Sequence, residues 1–211
     1  MKTPFTTSQF FQVFENYNSS LFPVPILIML LGLGTLVLLH SKKTKKDKLI
    51  GSFLGLLWIW NGLVYHLLFF TDINPAACLF GGIFILQGLL LLVQTFKDRL
   101  NFTFHSLAKN AIGYFLIVFA LFVYPLIGYL VEGSMVRTIT LGLPCPSTIL
   151  TFGFFLMTDA KFPKYLLIIP TIWSIIGISA VANFGVYQDL MLPIAALLAN
   201  FILIRRKRIV G

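Results

Sequence analysis

Charged side chains are scarce in this chain, and no Lys, Arg, Asp or Glu lies in the middle of its long apolar stretches. Asp and Glu together number 7, charged residues make up 11% of the 211, and hydrophobic residues make up 58%. A soluble domain carries about 25% charged residues, so this composition excludes a soluble globular protein and predicts that lipid covers much of the surface. The lack of charge at membrane depth also argues against a proton pump or an ion-coupled carrier, because such proteins need a buried charge.

Ligands for metals and cofactors are also rare. The chain has 3 His and 2 Cys, and only His66 lies well inside an apolar stretch. A diheme bundle needs paired axial histidines, a catalytic zinc needs about three protein ligands, and a retinal protein needs a lysine in its last span. The sequence contains none of these sets, so we predict no cofactor. Cys145, His66 and Cys78 are retained only as weak candidates for a soft metal ion.

The chain does contain seven apolar stretches, close in length to the ~20 residues that a helix needs to cross a bilayer. Unpaired backbone polar groups cannot face lipid, so each stretch is predicted to be a helix. The stretches do not alternate between polar and apolar residues, as the strands of a closed barrel would. The predicted fold is an all-α integral membrane bundle of seven transmembrane helices, at 21–40, 49–71, 76–96, 110–131, 139–158, 165–182 and 187–204.

Positive charge alternates from loop to loop along the chain. Of the 16 Lys and Arg, 14 follow the first, third, fifth or seventh span, and only Lys2 and Arg137 lie on the other side. Positive loops stay in the cytoplasm, so the N-terminus is predicted to be outside and the C-terminus inside. The net charge of +9 is then explained by anionic lipid headgroups at the cytoplasmic face. Nucleic acid is not an expected partner, because the charge is divided among short loops.

Residues 6–18 differ from the spans in being both polar and aromatic. Thr6 and Gln9 match a capping box, which predicts a helix start. Aromatic residues then recur at helical spacing, at Phe10, Phe14 and Tyr17. The pattern indicates a short amphipathic helix at the outer interface, which serves either as an anchor or as a lid over the bundle.

These features divide the chain into three parts. We expect an outer interfacial amphipathic segment at 1–20, a seven-helix transmembrane domain at 21–204 and a basic cytoplasmic tail at 205–211. Small residues at intervals of four or seven predict close helix packing inside the domain. They are Gly51, Gly55 and Gly62 in the second span, Gly81 and Gly88 in the third, and Ala195 and Ala199 in the seventh.

Polar residues within the spans are biased toward the outer half, which predicts an outward-facing pocket with an apolar cytoplasmic floor. In this pocket His66 and Tyr124 would supply hydrogen bonds, and Asp189 would guard the mouth. The alternative is that each is a hydrogen-bonded structural residue, which is the ordinary role of a lone His in a span. The candidate ligand-binding residues are His66, Tyr124, Cys145, Ser147, Asp189, Asn61 and Gln87.

The most unusual local sequence is Pro144-Cys145-Pro146. Proline removes a backbone donor and kinks a helix interior, so one interpretation is a structural kink. A second is a solute pocket lined by freed carbonyls, the thiol and the Ser147 hydroxyl. A third is metal or redox use, in which Cys78 would supply a second soft ligand or form a disulfide.

Several stretches resemble a bacterial multi-pass membrane family catalogued as domain of unknown function 6064. The resemblance covers nearly the whole chain and implies an integral protein of the bacterial inner (plasma) membrane, without supplying an activity. It also implies that His66, Asn74, Cys145 and Asp189 belong to a family pattern and that Cys78 does not. The stretches are Asn16-Tyr17-Asn18 with Phe22-Pro23, Leu57 to Gly62 with Val64-Tyr65-His66, Phe70 to Ala76, Gly142 to Thr148, and Gln188-Asp189.

The function predicted from these features is that of a small permease or solute-binding protein. The partners expected are the lipid bilayer and a small solute. One alternative is a non-transporting accessory or interaction protein, in which the polar groups only hold helices together. Another is a membrane enzyme or soft-metal-handling protein, which paired buried acids or multiple histidines would favour; neither is present in the sequence.

Overall fold

The computed structural model describes residues 4–159 and 162–206, and the regular secondary structure within these ranges is helical. Lys161, Lys207 and Arg208, three of the basic residues that support the predicted orientation, lie outside the described residues, as do Lys2 and most of the tail. The α-helices are α1 (Thr7–Ser20), α2 (Val24–Leu39), α3 (Lys46–Trp60), α4 (Ala77–Phe96), α5 (Leu107–Val118), α6 (Tyr124–Glu132), α7 (Pro144–Leu156), α8 (Ile168–Phe184) and α9 (Met191–Arg205).

The helices confirm an all-α, multi-pass membrane protein. By length and composition, five continuous helical segments qualify as membrane spans, and α1 with α2 forms a sixth if this pair, bent by 85°, is one span. Helix α7 is apolar but has only 13 residues. Five or six of the seven predicted spans are therefore supported by helix length. The five segments are Lys46–Asp72, Ala77–Phe96, Leu107–Glu132, Lys164–Phe184 and Tyr187–Arg205.

Helix α7 is the central element of the bundle. Every residue in it except Cys145 is buried, and it packs against α3, α5, α8 and α9. The stretch before it, 141–143, is also buried. Protein therefore surrounds both α7 and the extended backbone that precedes it.

The interpretation of Pro144 and Pro146 as a kink within a helix is wrong. Helix α7 begins at Pro144, after Leu143 in an extended conformation. The first-turn N–H groups of a helix have no intrahelical partner, so prolines are tolerated there at little cost. The motif therefore starts α7 and places Cys145 in its first turn.

Glycines bring α3, and the helical turns that continue it, into close contact with the antiparallel helix α4, as the sequence predicts. A Cβ built on Gly88 would lie 2.6 Å from the carbonyl oxygen of Gly55, and one on Gly62 would lie 2.7 Å from that of Gly81. Side chains at these positions would force the two backbones apart. The small-residue motifs thus act here as packing surfaces.

The two ends of the bundle differ in charge. Helix α1 lies across one end, which we call the α1 end, and the opposite end, where α2, α4 and α9 finish, is called the basic end. Of the Lys and Arg side chains that the structure describes, only Arg137 is at the α1 end. The described Lys and Arg side chains are therefore segregated to one end, as the alternating pattern in the sequence predicts.

Hydrogen bonds join the segments at the basic end. The Arg206 guanidinium donates to the carbonyl of Thr158. Burial lowers the pKa of this guanidinium, and the nearby Asp159 carboxylate opposes that change. The backbone N–H of Phe102 donates to the Asp47 carboxylate over 2.8 Å. These contacts connect the segment before α5 to α3, and the segment after α7 to the end of α9.

Two helices become π-helical in the half nearer the α1 end. One stretch, Asn61–Phe69, continues α3, and the other, Phe119–Val123, joins α5 to α6. π-Helical turns are rare and occur frequently at functional sites. The first stretch carries Tyr65 and His66, and the second leads directly into Tyr124. Both irregularities therefore set the positions of candidate site residues.

Candidate functional site

A cavity of about 190 Å³ lies beneath α1. Its wall is mainly aromatic, and small residues of α8, Gly177 and Ala180, leave room on one side. Cys145 and Asp189 also line the cavity. The aromatic side chains that line it include Phe10, Phe14, Tyr65, Phe80, Trp173 and Phe184. The site is thus an apolar chamber with a small polar patch.

Helix α1 forms the roof of this cavity. The predicted capping box is confirmed, since Thr6 and Gln9 exchange side-chain and backbone hydrogen bonds. The apolar face of the helix is buried on the bundle, where the ring of Phe10 stacks on Phe184 at 4.3 Å. The ring of Phe14 lies parallel to Tyr65 at 6.0 Å. The roof is therefore built from aromatic contacts with the cavity wall.

A buried hydroxyl connects α1 to two other parts of the protein. The Tyr17 hydroxyl donates to the carbonyl of Gly142 over 2.9 Å and accepts the indole N–H of Trp60 over 2.7 Å. Gly142 has φ = +101°, a conformation that L side chains rarely adopt. This glycine lets the backbone turn its carbonyl toward Tyr17 before α7 begins.

Cys145 and Asp189 line the cavity, and Tyr124 contacts Asp189 without lining it. We call these three residues the cavity cluster. The Tyr124 hydroxyl donates a hydrogen bond to the Asp189 carboxylate. The Cys145 thiol is close enough to interact with both partners. Asp189 is only 1% exposed, so its carboxylate is removed from bulk water.

Anionic character at Asp189 is stabilised locally, but the described residues supply no neighbouring cation. Cys145 lies in the first turn of α7, and the N-terminus of a helix favours negative charge. The described basic side chain at this end, Arg137, pairs instead with Glu15 at 3.0 Å. The carboxylate therefore has hydrogen-bond donors and lacks an ion-pair partner among the described residues.

His66 lies directly behind the cavity wall. Its ring is 5.0 Å from that of Tyr65 and 5.2 Å from that of Trp173, and both of these residues line the cavity. The side chain is fully buried, and neither ring nitrogen has a hydrogen-bond partner among the described residues. The Trp173 indole nitrogen also lacks one, although the Cys145 sulfur is near it. His66 thus supports two cavity-lining rings and does not itself line the cavity.

A second polar group, which we call the inner cluster, consists of Trp58, Asn61, Ser147 and Thr151. The Trp58 indole donates to the Thr151 hydroxyl over 2.9 Å, and the Asn61 amide donates to the Ser147 hydroxyl over 3.2 Å. Thr151 in turn donates to the carbonyl of Ser147 over 2.7 Å. These bonds join α3 to α7 and have a structural role.

The predicted site residues therefore separate into groups. Tyr124 and Cys145 meet Asp189 beside the cavity. Asn61 and Ser147 belong to the inner cluster, and His66 packs against the rings of Tyr65 and Trp173. Gln87 is separate from all of them, and its amide donates to the carbonyl of Leu166 over 3.0 Å.

Neither cysteine forms a disulfide, and Cys78 is exposed outside the cavity. Within the described residues there is no group of three or more His, Cys, Asp or Glu that could hold a metal ion.

The sequence prediction missed the contribution of α8. Trp173, Ala180 and Phe184 all line the cavity, and none was among the predicted site residues. Trp173 did carry a signal, because an indole N–H within a span needs a partner in the protein interior. The lining role of Ala180 has no sequence signal, since alanine is common throughout apolar spans.

Comparison with protein families agrees with the resemblance noted from the sequence. A family described as "Family of unknown function (DUF6064)" matches residues 7–211. No curated protein and no solved structure matches the chain. The match shows membership over nearly the whole chain and carries no activity with it.

Proposed function

This chain belongs to the family of unknown function DUF6064, and we propose that it is a small permease or solute-binding protein whose cavity beneath α1 binds a small, largely apolar solute. The observation that carries the proposal is the cavity itself, with aromatic walls and a few convergent polar groups. This combination is typical of small-molecule sites. Aromatic side chains supply most of the contact surface, and the cavity cluster supplies the polar contacts.

We further propose seven crossings, with the N-terminus and the cavity outside the plasma membrane. The 85° bend makes α1 suited to lie along the interface while α2 enters the bilayer. The buried stretch before α7 would lengthen that short helix into a crossing. The segregation of described Lys and Arg to the basic end supports this orientation.

Labelling of intact cells tests this topology. In a background with serine at positions 78 and 145, Ser20→Cys should react with an impermeant maleimide, whereas Lys43→Cys should react only after permeabilisation. The reverse pattern would overturn the orientation.

The size of the cavity limits the class of solute. A cavity of about 150 Å³ holds one benzene molecule, so a volume of about 190 Å³ suits a molecule slightly larger than benzene.

Helix α1 covers the cavity, so binding requires the roof to open or to let the solute pass. The aromatic contacts and the Tyr17 hydrogen bonds hold the closed arrangement.

Binding of benzyl alcohol and toluene to the purified full chain in lipid nanodiscs tests the proposed function. We expect saturable binding by isothermal titration calorimetry, together with a higher unfolding temperature. Ala180→Leu should fill the cavity and abolish both effects. Ala182→Leu is the matched control, since it makes the same change at an exposed position of α8.

The outcomes separate the alternative functions. Equal heats for the two leucine variants and the natural chain would mean that the probes only partition into lipid, and the accessory role would then replace solute binding. If binding is specific, uptake of the bound probe into proteoliposomes identifies a permease. Binding without uptake identifies a solute-binding protein.

A further inference from the structure

We infer that the solute bound beneath α1 is a small organic cation, an ammonium group on an apolar body. This inference rests on the proposed function and names the chemical class of its ligand. It starts from Asp189, whose carboxylate lines the cavity while being 1% exposed. An ionised carboxylate is strongly disfavoured in such a place unless it is hydrogen-bonded and paired with a cation, and without a cation it takes up a proton.

The surroundings of Asp189 satisfy only part of this requirement. The Tyr124 hydroxyl donates to the carboxylate, and the Cys145 thiol and the start of α7 lie beside it. These groups orient the carboxylate and disperse its charge without neutralising it. Among the described residues, the basic side chain at this end is committed to Glu15. A ligand ammonium would provide the missing positive charge from within the cavity.

The aromatic wall suits a cation as well as an apolar body. Tyr65, Phe80 and Trp173 line the chamber together with rings from the α1 roof. A cation close to such rings is attracted by their negative faces, and the attraction increases when the cation is removed from water. A carboxylate beside several aromatic rings therefore favours an ammonium over a neutral solute of the same shape.

The opposite charge is disfavoured by the same groups. An anionic solute would place its charge against the Asp189 carboxylate inside a largely apolar cavity, where like charges repel more strongly than in water. A neutral solute would fill the apolar volume but leave the carboxylate unpaired. The structure thus ranks ligands of equal size in the order cation, neutral molecule, anion.

Benzylammonium, benzyl alcohol and benzoate form a matched set of probes for this ranking. Calorimetry on the full chain in nanodiscs of zwitterionic lipid avoids attraction of the cation to the membrane surface. We expect benzylammonium to bind about 10- to 100-fold more tightly than benzyl alcohol, as a hydrogen bond to a charged group implies. Benzoate should not bind measurably.

Asp189→Asn identifies the group responsible for the preference. This variant keeps an oxygen acceptor for Tyr124 but removes the charge, so it should bind benzylammonium and benzyl alcohol within about twofold of one another. Asp72→Asn is the matched control, because it removes an acidic charge that is exposed at the α1 end of the bundle. Lys2→Gln should leave the preference unchanged.

Each outcome has one interpretation. Equal affinities of the natural chain for the cation and the alcohol, both lost in Ala180→Leu, would overturn the cation inference and keep the proposed function. A preference that persists in Asp189→Asn would also overturn it. Absence of any binding sensitive to Ala180→Leu would overturn both proposals.

Discussion

Two polar clusters meet the first turns of helix α7, and they differ in how their buried groups are satisfied. In the inner cluster, the Trp58 indole and the Asn61 amide N–H donate to hydroxyls of α7, and the Asn61 amide oxygen is the neutral group left without a partner among the described residues. In the cavity cluster, Asp189 receives a hydrogen bond from Tyr124, faces an open chamber and has no ion-pair partner among the described residues. One cluster completes the fold, and the other is completed by a ligand in our proposal.

This difference shows that burial alone does not identify a binding residue. Asn61, Ser147 and Asp189 are all nearly inaccessible, and sequence analysis placed them in one pocket. Only Asp189 lines the cavity and brings a formal charge. A neutral amide and a hydroxyl can satisfy one another across a helix interface, whereas a lone carboxylate requires a cation or a proton.

The largest effect on stability is expected in the inner cluster. Thr151→Val keeps the shape of the side chain but leaves the buried Trp58 indole N–H without its acceptor. Unfolding in mixed micelles should show a loss of about 1–3 kcal/mol. Thr148→Val is the matched control, because among the described residues the Thr148 hydroxyl bonds to the carbonyl of Pro144 in its own helix and to no other helix. Equal losses in the two variants would contradict the proposed role of the Trp58 contact.

A smaller effect on stability is expected at the cavity cluster. Asp189→Asn removes a buried charge that lacks a described ion-pair partner, so the free energy of unfolding should change by less than about 1 kcal/mol or should rise. The same micelle unfolding experiment, without added probe, measures this change. A loss of about 3–5 kcal/mol would instead indicate that a buried ion pair had been broken, and the contrast between the clusters would disappear.

The smallest effect is expected at the edge of the α1 roof. Glu15→Gln breaks the ion pair with Arg137. The Glu15 side chain is 33% exposed and the Arg137 side chain is 46% exposed. Exposed pairs contribute about 0–1 kcal/mol, and the roof is held mainly by its buried aromatic face. Thermal unfolding and affinity for benzyl alcohol should both remain close to those of the natural chain. A large loss of affinity would show that this ion pair controls the roof.

Sequence patterns were sufficient for the features that depend on local chemistry. The capping box at Thr6 and Gln9, the glycine contacts between α3 and α4, and the segregation of basic residues all agree with the structure. Each arises from residues at short, fixed spacing or from the partition of side chains between lipid and water. Such preferences do not require knowledge of which helices are neighbours.

The candidate site depended on features that no local pattern contains. Pro144 begins α7 instead of kinking it, because the preceding stretch is extended and buried within the bundle. Tyr124 reaches Asp189 across 65 positions of sequence, and the π-helical turn before Tyr124 sets its direction. Gln87 and Asn61 both carry a side-chain amide. Asn61 bonds to Ser147 of the inner cluster, whereas Gln87 bonds to the carbonyl of Leu166 elsewhere in the interior.

By itself, the sequence determined that this chain is a multi-pass membrane protein of a recognisable family, because apolar length and loop charge act locally on lipid and water. Only the tertiary structure decided that Cys145 and Asp189 line a cavity roofed by α1, that Tyr124 bonds to Asp189, and that Asn61 and Ser147 belong to the inner cluster. The reason is geometric: hydrogen bonds and cavities depend on which helix faces are neighbours. A single span carries no information about the face that it will meet.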